Sequence, residues 1–362
     1  MNYTKTLAIG FAVVIIFLIG AFFYVYYAPT SKIEMTASAE DQANRVEILN
    51  QFNTNNLDGA ITAAQKMTQD KSTLRSVLAF LQLANAYVQK ANFATSAVDQ
   101  KEYGDKALDA ARQVLLVDSQ NEEAYRVTGY AYEVMQDFAN AEKNYTKALE
   151  LNPKFDLALS NRGHLYELMG NREKAFADYN AAYAMNPSND FTQLNLGRYY
   201  FAAGQNDQAI PFLRGAIQSS QNIRVRATAH EVLGNIYFST GSSSKALSEF
   251  NASIATDASY PDSYFDRAFL ALASEDKENA LGATSTHTAI TEDIRQGLTL
   301  NPAKAFGYFL MGITFYSTDK TKAVENYEKA LALVDADVTV IGENKKILKQ
   351  DIKVQLDEAL KK

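Results

Sequence analysis

Apolar residues recur along most of the chain at intervals of three and four, the spacing that places them on one face of an α-helix. Within residues 122–155 two such sets follow each other: Tyr125, Gly129 and Tyr132, then Ala141, Tyr145 and Ala148. A break at Gln136-Asp137 separates the two sets, and Pro153 prevents the second helix from continuing. The pattern therefore predicts a helical hairpin, with a small residue where the two helices approach closely.

The hairpin pattern returns at a fixed period. The pairs Asn152-Pro153 and Asn186-Pro187 lie 34 residues apart, and small and aromatic residues recur in step with them. The recurring residues are Gly129, Gly163 and Gly197, Tyr132, Tyr166 and Tyr200, and Ala141, Ala175 and Ala209. A period of this length indicates stacked repeats in place of separate globular domains.

This pattern resembles the tetratricopeptide repeat (TPR) family, with Tyr125 where the family usually has Trp. The resemblance implies an all-α fold, an α-solenoid that winds about eight hairpins into a right-handed superhelix across residues 41–337. The predicted repeats are 41–74, 77–121, 122–155, 156–189, 190–223, 227–260, 261–304 and 305–337. The second and seventh repeats hold about ten extra residues each, and we expect polar surface loops at 90–101 and 274–288.

The two ends of the chain have different patterns. Residues 7–27 carry no charged side chain, and about 20 apolar helical residues cross a bilayer core. We expect residues 1–27 to be an uncleaved transmembrane signal-anchor and residues 28–40 a polar tether, with a cleaved signal peptide as the alternative. Lys5 before the span and the acids after residue 33 favour a cytoplasmic N-terminus and an extracytoplasmic body.

At the C-terminus, residues 338–362 predict a helix that caps the last repeat. Its apolar residues recur every four positions, at Leu348, Ile352, Leu356 and Leu360. A terminal repeat needs such a cover because its outer side has no neighbour. The six lysines of this segment also allow contact with a membrane surface.

The composition argues against several classes of function. The chain has 42 acidic and 35 basic residues, no Cys and three His, and it contains no phosphate-binding loop or metalloprotease motif. The acidic balance argues against nucleic-acid binding. We therefore expect no catalytic residue, no metal and no cofactor. A glycan-processing enzyme with unrecognised paired carboxylates is the remaining enzymatic alternative.

The resemblance also implies where partners bind, because the family lines its concave face with the first helix of each repeat. Its ligand-contacting positions fall on Arg126, Tyr130, Asn161, His164, Asn195, Arg198 and Asn235. Glu123, Glu133 and Glu167 occupy further positions of that face. Asn can bond both donors and acceptors of an extended peptide, and Arg can bind carboxylates. Simple solvated positions are the alternative.

Farther along, the same face becomes apolar. The residues are Phe265, Phe269, Phe306, Phe309, Ile313 and Tyr316. A groove for a partner helix is one interpretation, and burial by the C-terminal segment or by neighbouring helices is the other. Together these features predict a membrane-anchored scaffold that binds protein or peptide partners through its concave face. The alternative is an assembly factor for an envelope machine such as a pilus, a secretion system or a polysaccharide exporter.

Overall fold

The computed structural model describes residues 39–68, 73–94, 96–273, 286–337 and 342–361, and all regular structure in these residues is helical. The helices are α1 Ala39–Asn53, α2 Leu57–Thr68, α3 Thr73–Asn92, α4 Ala97–Val117, α5 Glu122–Val134, α6 Phe138–Leu151, α7 Asp156–Leu168, α8 Arg172–Met185, α9 Asp190–Ala202, α10 Asn206–Ser219, α11 Ile223–Ser239, α12 Ser243–Thr256, α13 Pro261–Ala273, α14 Thr286–Leu300, α15 Ala305–Phe315, α16 Lys320–Leu333 and α17 Gly342–Leu360.

The predicted membrane anchor and residues 28–38 of the tether lie outside the described residues. Among the helices that are described, none combines the length and the apolar character needed to cross a bilayer.

Helices α1 to α16 pair into eight hairpins, which we number 1 to 8 in chain order. In hairpins 2 to 8 each helix packs most extensively on its hairpin partner, whereas α2 of hairpin 1 packs more extensively on α3 than on α1. The second helix of each hairpin also packs on the first helix of the next one. Consecutive first helices also contact one another, which brings them together on one side of the stack. The result is an all-helical solenoid whose first helices line an inner face.

Short capped turns connect the helices. Asn121 and Asn189 cap α5 and α9 by accepting hydrogen bonds from Ala124 N at 3.0 Å and Thr192 N at 2.9 Å. The turn inside hairpin 4 passes through Gly170 at φ 76°. Glycine adopts this left-handed conformation without steric strain, so the chain reverses direction here at little cost in free energy.

Close approach within a hairpin depends on glycine. In hairpin 3, a Cβ atom on Gly129 would lie 2.7 Å from Cδ1 of Tyr145, whose side chain is fully buried. Glycine is therefore required where α5 crosses α6, and the tyrosine ring fills the space that it leaves.

Hairpin 2 is longer than its neighbours. Its helices have 20 and 21 residues, whereas hairpins 3, 4 and 5 each combine helices of 13 and 14. The surface loop predicted at 90–101 is wrong, because the extra residues lengthen both helices and only residues 93–96 lie between them. In the other predicted loop, 274–288, residues 274–285 lie outside the described residues and Thr286 begins α14.

Helix α17 packs on α16 and, less extensively, on α15. Ile352 is fully buried, and Leu348 and Leu356 are partly buried against the cluster that contains Tyr327. Leu360 departs from the expected apolar stripe because it is 58% exposed. The helix therefore covers hairpin 8 through its first three apolar turns.

Candidate partner-binding face

The inner face is built from the first helices α5, α7, α9, α11, α13 and α15. All seven predicted polar contact residues lie on the first four of these helices. Their neighbours in space are residues of the adjacent first helices, so each polar side chain can bond across a hairpin boundary. The contacts they make determine which of them is available to a partner.

Arg126 is held by internal contacts. Its Nε donates to Glu123 Oε2 at 2.8 Å, and its Nη2 donates to Glu123 Oε1 and Asn85 Oδ1, each at 2.7 Å. Asn161, with its amide oxygen turned toward the guanidinium, accepts from Nη1 at 3.1 Å. Burial alone would lower the pKa of Arg126, but the charge and hydrogen bonds of Glu123 raise that pKa above its ordinary value. The side chain thus ties α3, α5 and α7 together.

Glu133 is a buried carboxylate between hairpins 3 and 4. The Tyr145 hydroxyl donates to its Oε2 at 2.8 Å, and Nδ1 of His164 lies 2.8 Å from its Oε1. This contact leaves Nε2 of His164 for a further partner, on a side chain that is 29% exposed. Tyr130 is half-buried beside this group, and burial followed by the charge of Glu133 raises the pKa of Tyr130.

The in-register asparagines connect neighbouring first helices. Asn195 on α9 donates to Ser160 Oγ on α7 at 3.2 Å. Asn235 on α11 donates to Glu231 Oε1 at 2.5 Å and to Asp266 Oδ2 on α13 at 3.1 Å. Their regular spacing in the sequence therefore has a structural cause, since each bonds across the boundary between two hairpins.

A pair of carboxyl groups faces the inner side between hairpins 6 and 7. Glu231 and Asp266 are hydrogen-bonded to each other as well as to Asn235. Burial and the neighbouring carboxylate raise the pKa of Glu231 well above its ordinary value. Burial and the charge of Asp262 raise the pKa of Asp266 to about 6. The two groups thus share a proton more readily than isolated acids do.

Arg198 differs from the other predicted polar residues. It lies on α9 near the middle of the inner face and is exposed. Within the described ranges it forms no hydrogen bond and no salt bridge. Its positive charge instead acts at longer range on Tyr179 and Glu231. Its guanidinium is therefore available to an external carboxylate.

The apolar end of the inner face divides into exposed and buried residues. Phe269 is 37% exposed, and its ring lies 5.6 Å from Phe238 and 6.0 Å from Phe306. Ile313 and Tyr316 are partly buried in the same region. These residues form a half-exposed aromatic strip that crosses from α11 to α15.

For Phe265 and Phe309 the structure agrees with the second interpretation, burial by neighbouring helices, because both lie in the core. Phe265 is 1% exposed, and a Cβ atom on Gly297 or Gly307 would lie 2.6 Å from its ring. Phe309 is 9% exposed and lies 6.1 Å from the ring of Tyr327. The two glycines make room for one ring, and α16 covers the other.

In the part of the chain that the structure describes, no group of three His, Asp or Glu side chains is placed to hold a metal ion. The expectation that the protein is not an enzyme stays a prediction.

Three tetratricopeptide repeat models match this chain, at residues 122–155, 158–189 and 194–264. These stretches of the chain are therefore tetratricopeptide repeats. A TPR solenoid is a scaffold suited to protein–protein interaction. No curated protein is significantly similar to the sequence.

Solved structures share the TPR fold. A chain of the APC/C hetero-tetramer Cut9-Hcn1 has a TM-score of 0.52 at 15% identity, over 90% of this chain and 64% of that one. PilF of Pseudomonas aeruginosa has a TM-score of 0.51 at 17% identity, over 66% of this chain and 98% of its own. At these identities the likeness shows the fold alone.

Sequence reasoning did not select Asn85, Glu231 or Asp266. Asp266 occupies the sixth position of its predicted repeat, as Asn161 and Asn195 do in theirs. Extending the same count to the seventh repeat would have found it. Asn85 and Glu231 occupy the ninth and fifth positions of their predicted repeats, as Tyr130 and Arg126 do in theirs, so the same count identifies them too.

Proposed function

We propose that the inner face of hairpins 3 to 7 binds an extended segment of a partner protein. The observation that carries this proposal is the state of Arg198, an exposed guanidinium that forms no hydrogen bond or salt bridge within the described residues. On the same face, Arg126, Asn195 and Asn235 are bonded internally. Exposed arginine binds carboxylates with two parallel hydrogen bonds. The first helices are already ordered, so the scaffold loses little conformational entropy on binding.

The surroundings of Arg198 favour a partner with both charges. His164 offers Nε2 on one side, and the acidic pair of Glu231 and Asp266 lies on the other. A segment with an acidic residue against Arg198 and a basic residue against that pair satisfies both groups. The aromatic strip around Phe269 accepts apolar side chains farther along.

Peptides selected from a random library on the full chain test this proposal. Affinity for the selected peptides should fall about tenfold in Arg198→Glu, because the variant replaces an attractive charge contact by a repulsive one. Arg172→Glu is the matched control, since Arg172 is exposed on a second helix. Equal affinity of the two variants for every selected peptide would remove the inner face from the proposal.

The membrane anchor belongs to the same proposal. Residues 7–27 hold 21 residues without a charge, which supports a membrane-anchored scaffold with its repeats outside the cytoplasm. The full chain should then remain in the membrane fraction after a carbonate wash. Release into the supernatant would contradict the anchor. Protease protection of the repeats in intact cells determines on which side of the membrane they lie.

Assembly of an envelope machine, such as a pilus, a secretion system or a polysaccharide exporter, is the second candidate. The combination of a predicted anchor with a protein-binding array supports it. Crosslinking in native membranes from Phe201, beside Arg198, followed by identification of the partner distinguishes a machine component from other proteins.

The glycan-processing alternative has a geometric test in the structure. Glu231 and Asp266 are paired carboxyls, but they are hydrogen-bonded to each other. Glycosidases place a sugar and often a water between their two carboxyls, which stand roughly 5 to 9.5 Å apart. Asn235 Nδ2 donates to both carboxyls, at 2.5 and 3.1 Å, and so occupies the place that a sugar would need. We therefore propose a binding protein without catalytic activity.

A further inference from the structure

The long hairpin 2 reaches a distant part of the solenoid. Its helices exceed those of hairpins 3 to 5 by seven residues each, which adds about 10 Å at 1.5 Å per residue. The turn at its tip carries Phe93, a large apolar side chain that is 39% exposed.

The contact of Phe93 is Arg224, 131 positions later at the start of α11. The guanidinium carbon lies 5.1 Å from the centre of the Phe93 ring and 4.7 Å from that of Tyr260. Arg224 is fixed for this contact, because its Nε lies 2.8 Å from Asp257 Oδ2 and its Nη2 donates to Ser259 Oγ at 3.1 Å. One cation is therefore held between two aromatic rings from opposite parts of the chain.

A second contact lies beside the first. Asn55, in the turn of hairpin 1, donates from Nδ2 to Ser259 Oγ at 3.4 Å. Both contacts join the tips of hairpins 1 and 2 to the edge formed by residues 224–260. Hairpins 3, 4 and 5 lie between these two points and stack on one another. The contacts therefore close hairpins 2 to 6 into a ring around the inner face.

We propose that Phe93, Arg224, Asn55 and Ser259 form a latch that reversibly closes this superhelical turn. The latch is weak compared with the stacking of neighbouring hairpins, since it consists of one half-exposed cation–π contact and one long hydrogen bond. Neighbouring hairpins, by contrast, bury large clusters of hydrophobic side chains where they stack. The latch is thus the contact that opens first, and its opening sets the width of the inner face whatever that face binds.

The absence of cysteine from the chain permits a direct test. In the full-length double variant Asn55→Cys with Ser259→Cys, the two thiols should form an intramolecular disulfide under mild oxidation. The matched control is Asn55→Cys with Ser242→Cys. Ser242 follows the C-terminal end of α11, whereas Ser259 contacts Arg224 at its N-terminal end, and these two ends are about 25 Å apart in a helix of 17 residues. Equal oxidation rates for the two pairs would overturn the latch.

Phe93 tests the cation–π contact separately from the cysteines. Adding Phe93→Ala to the 55/259 pair should slow disulfide formation about threefold, and Phe93→Trp should restore the rate, because tryptophan binds a guanidinium at least as well as phenylalanine. Helicity should stay constant in all variants, since Phe93 lies outside the helices. An unchanged rate in Phe93→Ala would show that Arg224 and Phe93 do not hold the turn closed.

Discussion

Hairpins 3 and 4 solve the same packing problem as hairpins 5 and 6 with different chemistry. In all four, a glycine on the first helix makes room for a large side chain of the second helix: Gly129 for Tyr145, Gly163 for Tyr179, Gly197 for Leu213 and Gly234 for Phe250. Four residues after the glycine, the first helix carries Glu133 and Glu167 in hairpins 3 and 4, but Phe201 and Phe238 in hairpins 5 and 6.

The two positions change together for a physical reason. A buried tyrosine hydroxyl needs an acceptor, and Glu133 and Glu167 supply it at 2.8 and 3.0 Å. Where the second helix has Leu or Phe, a carboxylate would have no donor, and an aromatic ring replaces it. The inner face is consequently polar over hairpins 3 and 4 and more aromatic from hairpin 5 onward.

Removing the carboxylate from hairpin 3 should have the largest effect. Glu133→Ala leaves the Tyr145 hydroxyl and His164 without their acceptor and should lower the free energy of unfolding by about 2–4 kcal/mol. Denaturant unfolding followed by circular dichroism measures this loss. Glu173→Ala, at an exposed site on α8, is the control. If both variants lose the same stability, the acceptor has no special role.

Introducing a tyrosine into hairpin 6 tests the pairing from the other side, because it adds the hydroxyl without its glutamate acceptor. Phe250→Tyr places a hydroxyl in a buried apolar cluster against which Phe238 packs, and should cost about 1–3 kcal/mol. Adding Phe238→Glu recreates the pair of hairpin 3, so the double variant should be more stable than the two single losses predict. Additive losses in this double-mutant cycle would show that the two positions are independent.

The carboxyl pair of Glu231 and Asp266 should make the stability of the protein depend on pH. Folding raises the pKa of both Glu231 and Asp266, the latter from 3.8 to about 6. The folded state therefore keeps protons that the unfolded chain releases, and this stability is lost as pH rises through that range. Wild-type protein should melt at a higher temperature at pH 5 than at pH 8.

Glu231→Gln sharpens this test, because its amide can still hydrogen-bond but carries no charge. At pH 8 the variant should be more stable than the wild type by roughly 1 kcal/mol, and its melting temperature should depend less on pH. Glu173→Gln should keep the wild-type profile. Parallel pH profiles for Glu231→Gln and wild type would exclude the carboxyl pair as the cause.

The sequence predicts the hairpins well because their signals are local. Gly129, Tyr145 and the Asn-Pro turns act within one repeat, so their period alone indicates paired helices. The position of the extra residues of hairpin 2, in its helices and not in a loop, could not be predicted in this way. Exposed helix ends and surface loops are both polar, and the residues near 90–101 fit either.

Contacts between repeats were also beyond sequence reasoning. Periodicity places Arg126 on the inner face, but its engagement by Asn85 depends on how closely α3 approaches α5. Phe265 occupies an inner position and is nevertheless buried, since Gly297 and Gly307 on two other helices open a space for its ring. Only packing in three dimensions distinguishes such a residue from the exposed Phe269.

Hairpin 8 has the buried tyrosine of hairpins 3 and 4 together with the aromatic residue of hairpins 5 and 6. It gives the smallest of the expected changes in stability. Its second helix carries Tyr327, as in hairpins 3 and 4, but the position four residues after Gly312 is Tyr316 and not a glutamate. The Tyr327 hydroxyl is buried and finds no hydrogen-bond partner among the described residues. Burial raises the pKa of Tyr327 to about 12, so the hydroxyl stays neutral.

Tyr327→Phe should therefore be neutral or stabilise the protein by up to about 1 kcal/mol, because it removes an unpaired polar group. Tyr145→Phe should destabilise by about 1 kcal/mol, because there the hydroxyl has an acceptor. The two variants delete the same atom from the same place in the repeat, so the sign of their difference depends on the residue facing the hydroxyl. Equal losses in denaturant unfolding would mean that Tyr327 has an acceptor after all, and that the contrast between Glu133 and Tyr316 does not control this site.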